Sequence, residues 1–152
     1  MNLNHFEKLT GSGFYTGYSP IASGTAGSFA ALIIYWIPGF ENLFIIVPAI
    51  LLFFIYGIFL GGKFEKIYGK DPAEFTLDEI VGTWISLICL PKTIGISVTA
   101  FIIWRILDVI KPQPARRVER IAGGLGIMLD DVIAGLYTLL IVHLLVYLIG
   151  VF

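Results

Sequence analysis

The sequence predicts an all-α, polytopic membrane protein with about five membrane segments. Of its 152 residues, 57% are hydrophobic and only 14% are charged, whereas a soluble domain carries about 25% charged residues. The few charges also leave long uncharged gaps, and about 20 apolar residues suffice to cross the hydrocarbon core of a bilayer. This composition excludes a conventional soluble enzyme, a disordered chain and a disulfide scaffold. The length fits a single domain over residues 1–152.

Three uncharged gaps each predict one membrane segment. The first segment covers about 21–37, the second about 43–61 and the last about 131–150. Pro48 lies inside the second segment, where a proline can kink a helix because it removes one backbone hydrogen bond.

The middle of the chain, about 79–107, allows two interpretations. A single span would put Lys92 at the bilayer centre, which costs about 2.5–3.5 kcal/mol on insertion scales. A short helical hairpin would instead turn near Pro91 and Lys92. We choose the hairpin, because only that topology puts both basic loops on one side, as the positive-inside rule requires. The basic residues concerned are Lys63, Lys66, Lys70, Lys111, Arg116, Arg117 and Arg120.

Acidic residues gather at one end of these predicted segments. Asp78 and Glu79 begin the third segment, Asp108 ends the fourth, and Asp130 and Asp131 begin the fifth. In the hairpin topology all of them face the cytoplasm, where like charges this close need a cation among them. Carboxylate oxygens suit Mg²⁺ or a similar hard ion. Charges that merely mark the edge of the bilayer are the alternative, less favoured because three groups share one face.

The spacing of nearby cations supports a site at this end. Arg105, Asp108 and Lys111 are three residues apart and share one helical face. Each leg of the hairpin holds 12 uncharged residues, which span only about 18 Å as a helix. The acids are therefore expected near the depth of lipid phosphates, where a lipid headgroup can reach them.

Two glycine-rich pieces add a weaker signal. Residues 24–28 read Gly-Thr-Ala-Gly-Ser, and residues 123–126 read Gly-Gly-Leu-Gly. Small residues before a helix can expose backbone N–H groups that hold an anion. A tight turn or close helix packing is the favoured explanation, since neither piece has the Walker spacing. Thr25 and Ser28 either donate to a phosphate or cap the first segment.

Four blocks in this order resemble the phosphatidylglycerophosphatase A family of membrane lipid phosphatases, over about residues 13–135. The blocks are Ser19-Pro20 with 24–28, residues 78–84 (Asp-Glu-Ile-Val-Gly-Thr-Trp) with Pro91, residues 105–108 (Arg-Ile-Leu-Asp) leading to 111–114 (Lys-Pro-Gln-Pro), and residues 123–131 with Ala134-Gly135.

This resemblance implies Mg²⁺-dependent hydrolysis of phosphatidylglycerophosphate to phosphatidylglycerol and phosphate, in phospholipid biosynthesis. It also implies a multi-pass protein of the bacterial inner membrane with its site facing the cytoplasm. The implied partners are the phospholipid substrate and the bilayer, while the oligomeric state stays open. Nucleic acid is not an expected partner, because a net charge of −1 creates no basic field.

The hypothesis for these residues is attack by water with the help of a metal ion. Some of the five carboxylates hold Mg²⁺ and one left free acts as general base, although a covalent aspartyl-phosphate route stays open. Cations neutralise charge on the phosphoryl group. The predicted catalytic residues are Asp78, Glu79, Asp108, Asp130, Asp131 and Lys111, and the predicted phosphate-binding residues are Arg105, Lys111, Thr25, Ser28 and Arg116.

Other functions account for the sequence less well. Another enzyme of lipid phosphates, such as a phosphatidic acid phosphatase or a phosphatidyl group transferase, could share the acids and Mg²⁺. The Asp-Gly-x-x-Ala-Arg spacing typical of such transferases is absent. A non-catalytic membrane protein would leave the acids without a joint role.

Overall fold

The computed structural model of the chain describes residues 2–151 and contains only helical regular structure within that range. The prediction of an all-α fold is confirmed. The helices are α1 (His5–Gly11), α2 (Ser23–Tyr35), α3 (Leu43–Tyr68), α4 (Leu77–Ser86), α5 (Ile94–Ile110), α6 (Ala115–Val118) and α7 (Gly124–Leu148), with a 3₁₀ turn at Thr16–Tyr18.

Among residues 2–151, α3 and α7 are the helices long and apolar enough to cross a membrane. Their outward faces are apolar: Phe44 and Ile55 of α3 are 90% and 68% exposed, and Leu140 of α7 is 67% exposed. Large apolar patches of this kind mark surfaces that contact lipid or another protein, and they indicate a membrane-associated chain. Helices α2, α4 and α5 have 13, 10 and 17 residues, so the count of about five crossing segments stays a prediction.

Helix boundaries follow local backbone chemistry. The side chains of Asn42 before α3 and Thr93 before α5 each accept a backbone N–H of the first turn, at 2.9 and 3.3 Å. Helix α5 ends at Ile110, and the next residue, Lys111, adopts a left-handed conformation with φ +48°. Pro112 follows at once, and a helix rarely continues into a proline.

Helix α7 packs against α3, α4 and α5, and glycines bring it very close to α3 and α4. A Cβ on Gly124 would lie 2.1 Å from the carbonyl oxygen of Ile58 in α3. A Cβ on Gly135 would lie 2.7 Å from the carbonyl oxygen of Gly82 in α4. The second glycine-rich piece thus packs helices together. This piece is itself helical, because α7 begins at Gly124. The sequence predicted Asp130 and Asp131 at the start of the last segment, but they lie about two turns inside it.

Helix α4 is short and enclosed. Nine of its ten residues are buried, because α2, α3, α5 and α7 all pack against it. The indole Nε1 of Trp84 donates to the carbonyl oxygen of Ala31 in α2 at 3.0 Å. The first turn of α4, which carries Asp78 and Glu79, is therefore held firmly between its neighbours.

The two ends of the helix bundle are chemically different. Helices α4 and α5, joined by residues 87–93, lie where the hairpin was predicted. At this turn Lys92 donates to Glu41 at 2.6 Å and to the carbonyl oxygen of Ile37 at 3.0 Å, which ties the turn to the loop between α2 and α3. We call this the far end. The opposite end, where α4 and α7 begin, is the site end.

Helix α1 was not predicted from the sequence, because it is short and carries few apolar residues. A capping box of Asn4 and Glu7 begins it. Glu7 also pairs with Lys63 of α3. The hydrogen bond from the Lys63 ammonium, together with a backbone N–H, holds the pKa of Glu7 below its ordinary value.

Candidate active site

Three carboxylates converge at the site end, two of them buried and the third, that of Glu79, half-buried. Asp78 and Glu79 come from the first turn of α4, and Asp131 comes from α7. Their ligand oxygens lie within 4.8 Å of one another, and Asp78 and Asp131 are only 6% and 3% exposed. The close approach of α4 and α7 at their glycines makes this convergence possible. We call these residues the acidic triad.

The other two predicted acids are paired with cations instead. Asp108 forms an ion pair with Arg105, one helical turn away on α5, with 2.7 Å between Oδ2 and Nη1. Asp130, only 3% exposed, accepts a 2.6 Å hydrogen bond from Lys111. The structure therefore divides the five predicted acids into three that share a space and two whose charge a cation balances.

Lys111 is surrounded by further acids that the sequence did not predict for the site. Its Nζ lies 3.6 Å from Asp71 and 3.2 Å from Glu119, in addition to Asp130. Burial lowers the pKa of Lys111, but the hydrogen bond and charge of Asp130 outweigh that effect and raise it above its ordinary range. Lys111 is therefore a fixed positive charge. Position in the chain could have indicated Asp71, which lies in the loop that leads into α4.

Arg105 connects the acids with the start of α2. Its Nη1 donates to the Ser28 hydroxyl at 3.4 Å, and that hydroxyl donates to the carbonyl oxygen of Gly24 at 2.7 Å. A Cβ on Gly24 would lie 2.3 Å from Oε1 of Glu79. The first glycine-rich piece thus makes room for Glu79 and Arg105.

Two predicted phosphate-binding residues do not reach this cluster. Thr25 is exposed on the first turn of α2, and it lines neither of the two cavities described next. Arg116 is exposed on α6, where its guanidinium donates to the carbonyl oxygen of Ile110 at 3.5 Å. Both therefore lie outside the cluster that the structure brings together.

Two neighbouring cavities open at the site end. The acidic cavity has about 220 Å³ and is lined by the triad together with Asp71, Asp108, Val109, Lys111 and Asp130. The outer cavity has about 460 Å³ and lies between residues 19–24 and residues 71–75. Asp71, Asp78 and Glu79 line both cavities, so the two spaces adjoin.

The acidic triad fits a divalent cation. Oε2 of Glu79 and Oδ2 of Asp131 are buried and have no hydrogen-bond partner among the described residues. A buried carboxylate oxygen without a partner costs free energy of folding. Hard oxygen ligands of this kind suit Mg²⁺. The donor set therefore fits a hard divalent cation, and Mg²⁺ itself stays a prediction.

An all-helical, membrane-associated fold with such a site defines a class of protein. Carboxylates that can hold a cation, next to an arginine and a lysine, are typical of enzymes that act on phosphate esters. The family model described as phosphatidylglycerophosphatase A matches residues 9–146. The chain belongs to this family, and it is a phosphatase.

Curated relatives cover most of the chain. A protein of Bacteroides thetaiotaomicron named putative phosphatidylinositol-3-phosphatase is 37% identical over 93% of this chain and 94% of its own. The phosphatidylglycerophosphatase A of Escherichia coli is 38% identical over 84% of this chain and 76% of its own. The phosphatidylglycerophosphatase A of Haemophilus influenzae is 34% identical over 91% of this chain and 88% of its own. No solved structure matches the chain.

Proposed function

We propose that this chain hydrolyses the phosphomonoester of phosphatidylglycerophosphate in a Mg²⁺-dependent reaction, releasing phosphatidylglycerol and inorganic phosphate. The observation that carries the proposal is the acidic triad, whose ligand oxygens lie within 4.8 Å of one another. Family membership supplies the reaction class. The triad and the neighbouring cations supply groups suited to that reaction.

Asp78, Glu79 and Asp131 hold the metal ion in this proposal. Their oxygens converge, whereas Asp108 and Asp130 already have cation partners. When bound, Mg²⁺ supplies positive charge to phosphate oxygens and lowers the pKa of water.

The protein's own residues perform the remaining steps. Lys111, which lines the acidic cavity, neutralises negative charge on the transferring phosphoryl group. Lys111 holds Oδ2 of Asp130 at 2.6 Å, while Oδ1 is buried without a partner and accepts a proton from the attacking water. As the water oxygen bonds to phosphorus, the ester P–O bond breaks. The departing lipid alkoxide then takes up the proton that Asp130 accepted.

We also propose a multi-pass chain in the bacterial inner membrane, with the site end facing the cytoplasm. The basic residues of both loops lie at the site end, where Lys111 approaches Asp71. Cytoplasmic loops carry an excess of lysine and arginine. At the far end, Glu41 and Lys92 pair with each other, which leaves little net charge there.

A second substrate is favoured by one relative. The Bacteroides protein named putative phosphatidylinositol-3-phosphatase matches nearly its whole length to this chain. Phosphatidylinositol 3-phosphate is therefore the second candidate. In both lipids the scissile phosphomonoester is carried by a polyol, which a phosphodiester joins to the lipid anchor.

Phosphate release from defined lipids tests this function. Purified protein with phosphatidylglycerophosphate and Mg²⁺ should release inorganic phosphate, and EDTA should stop the release. Glu79→Gln and Asp131→Asn should each lower kcat by a factor on the order of 10² or more, since each removes a charged ligand oxygen. Glu41→Gln makes the same change at the far end and should retain activity. Full turnover by both triad variants would contradict the proposed site.

A further inference from the structure

The outer cavity is larger than the phosphoryl chemistry requires. It has about 460 Å³, against about 220 Å³ for the acidic cavity. The reacting phosphate and its metal ligands occupy the acidic cavity in the proposed function. Asp78 and Glu79 stand between the two spaces, so a group attached to the reacting phosphate would extend past them into the outer cavity.

The walls of the outer cavity suit neutral hydroxyl groups. Residues 19, 20 and 22–24 form one wall, which includes Ser23 at the beginning of α2. Ala22 precedes this helix in a left-handed conformation, and no side chain caps the first turn. Backbone N–H groups of a first turn lack partners inside the helix, so they can donate to an oxygen in the cavity.

Charge at this cavity disfavours a second anion. Arg105 is the cation among its lining residues, and Asp108 already pairs with that guanidinium. Carboxylates of Asp71, Asp78 and Glu79 also line the cavity. Asp78 and Glu79 are assigned to the metal ion in the proposed function, so Asp71 is the carboxylate left to accept a hydrogen bond from a hydroxyl group and to repel a phosphate. The chemistry of the walls therefore matches a polyol.

We propose that the outer cavity binds the polyol that carries the scissile phosphate, and so selects lipid phosphomonoesters with a polyol headgroup. The inference rests on the proposed function, whose two candidate lipids share this feature. A pocket built to bond hydroxyl groups rejects analogues that lack them, because its own polar groups are then left unpaired. Phosphatidic acid, in which no polyol separates the phosphate from the diacylglycerol, leaves this cavity unfilled.

Bulky substitutions on opposite walls test the proposal. Ser23→Leu narrows the cavity from α2, and Ala73→Leu narrows it from the loop before α4. Thr99→Leu adds the same side chain at an exposed position of α5 that lines neither cavity. Two measurements are compared for each variant: the KM for phosphatidylglycerophosphate and the Ki for inorganic phosphate, a probe that needs only the acidic cavity.

Each wall variant should raise the KM for the lipid by about tenfold, as expected when polar contacts to a remote substrate group are lost. The Ki for phosphate should stay within about twofold of the wild-type value, because that anion does not enter the outer cavity. Thr99→Leu should leave both unchanged. An unchanged lipid KM in both wall variants, or a parallel rise in KM and Ki, would overturn the proposal. Absence of turnover by the wild type would instead refute the proposed function.

Discussion

Gly24 has no side chain, and the space at this position is occupied by Glu79 and Arg105 of the site. A Cβ at this position would lie 2.3 Å from Oε1 of Glu79 and 3.2 Å from Nη2 of Arg105. Neither group can move away freely, since Glu79 lies in the triad and Arg105 pairs with Asp108. Glycine at this position therefore allows a carboxylate of the acidic triad and a guanidinium to lie beside the first turn of α2.

Gly24→Ala should lower kcat by a factor on the order of 10², because a displacement of about 1 Å in a positioning group can have that effect. Gly95→Ala is the matched control, since a Cβ there meets no heavy atom within 4 Å. The control should keep full activity and should gain slightly in thermal stability. Kinetics and thermal unfolding in detergent check both variants. Equal activity of the two alanine variants would show that Glu79 tolerates displacement.

Lys111 balances the charge of Asp130, which is buried and 3% exposed. Lys111→Met should destabilise the protein by about 3 kcal/mol, because it leaves a buried carboxylate without its cation. Adding Asp130→Asn should recover more than half of that loss while activity stays low. Thermal unfolding of the two single variants and the double variant gives the coupling between the residues.

The far-end lysine provides the comparison for Lys111. Lys92 makes an equally short ion pair, but its partner Glu41 is 42% exposed. Exposed ion pairs contribute about 0–1 kcal/mol, so Lys92→Met should change stability much less than Lys111→Met. Similar losses for the two lysine variants would contradict a special role for the buried pair.

At the scale of elements, the crossing of α4 and α7 brings the triad together. Gly135→Ala should force these helices apart, because its Cβ would lie 2.7 Å from a backbone oxygen and 3.2 Å from Ile85. Overpacking of this kind costs about 1–3 kcal/mol. It should also weaken Mg²⁺ binding, read as a smaller rise in melting temperature when Mg²⁺ is added. Gly62→Ala, whose Cβ would make an ordinary 3.6 Å contact, should leave both measurements unchanged.

The same elements show what the sequence could and could not predict. Uncharged gaps predicted α3 and α7 because apolar composition determines which long helices form. The early start of α7 was missed, since glycines are poor helix formers and only their contact with α3 explains why they are helical here. Spacing put Arg105 and Asp108 on one face, and they pair. The pairing of Lys111 with Asp130 joins two separate helices, so no local spacing indicates it.

At the scale of the whole molecule, charge is divided between the two ends. The site end holds the triad, the paired acids and the basic loops, whereas Glu41 and Lys92 pair at the far end. The acids gather at this end, as predicted, because of the directions in which their helices run. Helices α4 and α7 begin at this end and α5 finishes there, so residues distant in sequence meet.

Cys89 provides a native probe of how these ends lie in the membrane. It is the single cysteine of the chain, and it is exposed in the turn between α4 and α5. A membrane-impermeant thiol reagent should label it in spheroplasts, because the far end faces away from the cytoplasm in the proposed topology. In a Cys89→Ser background, Lys70→Cys should be labelled only in inverted vesicles, since Lys70 is an exposed residue of the site end. Labelling of both positions from the same side would contradict a bundle whose two ends face opposite compartments.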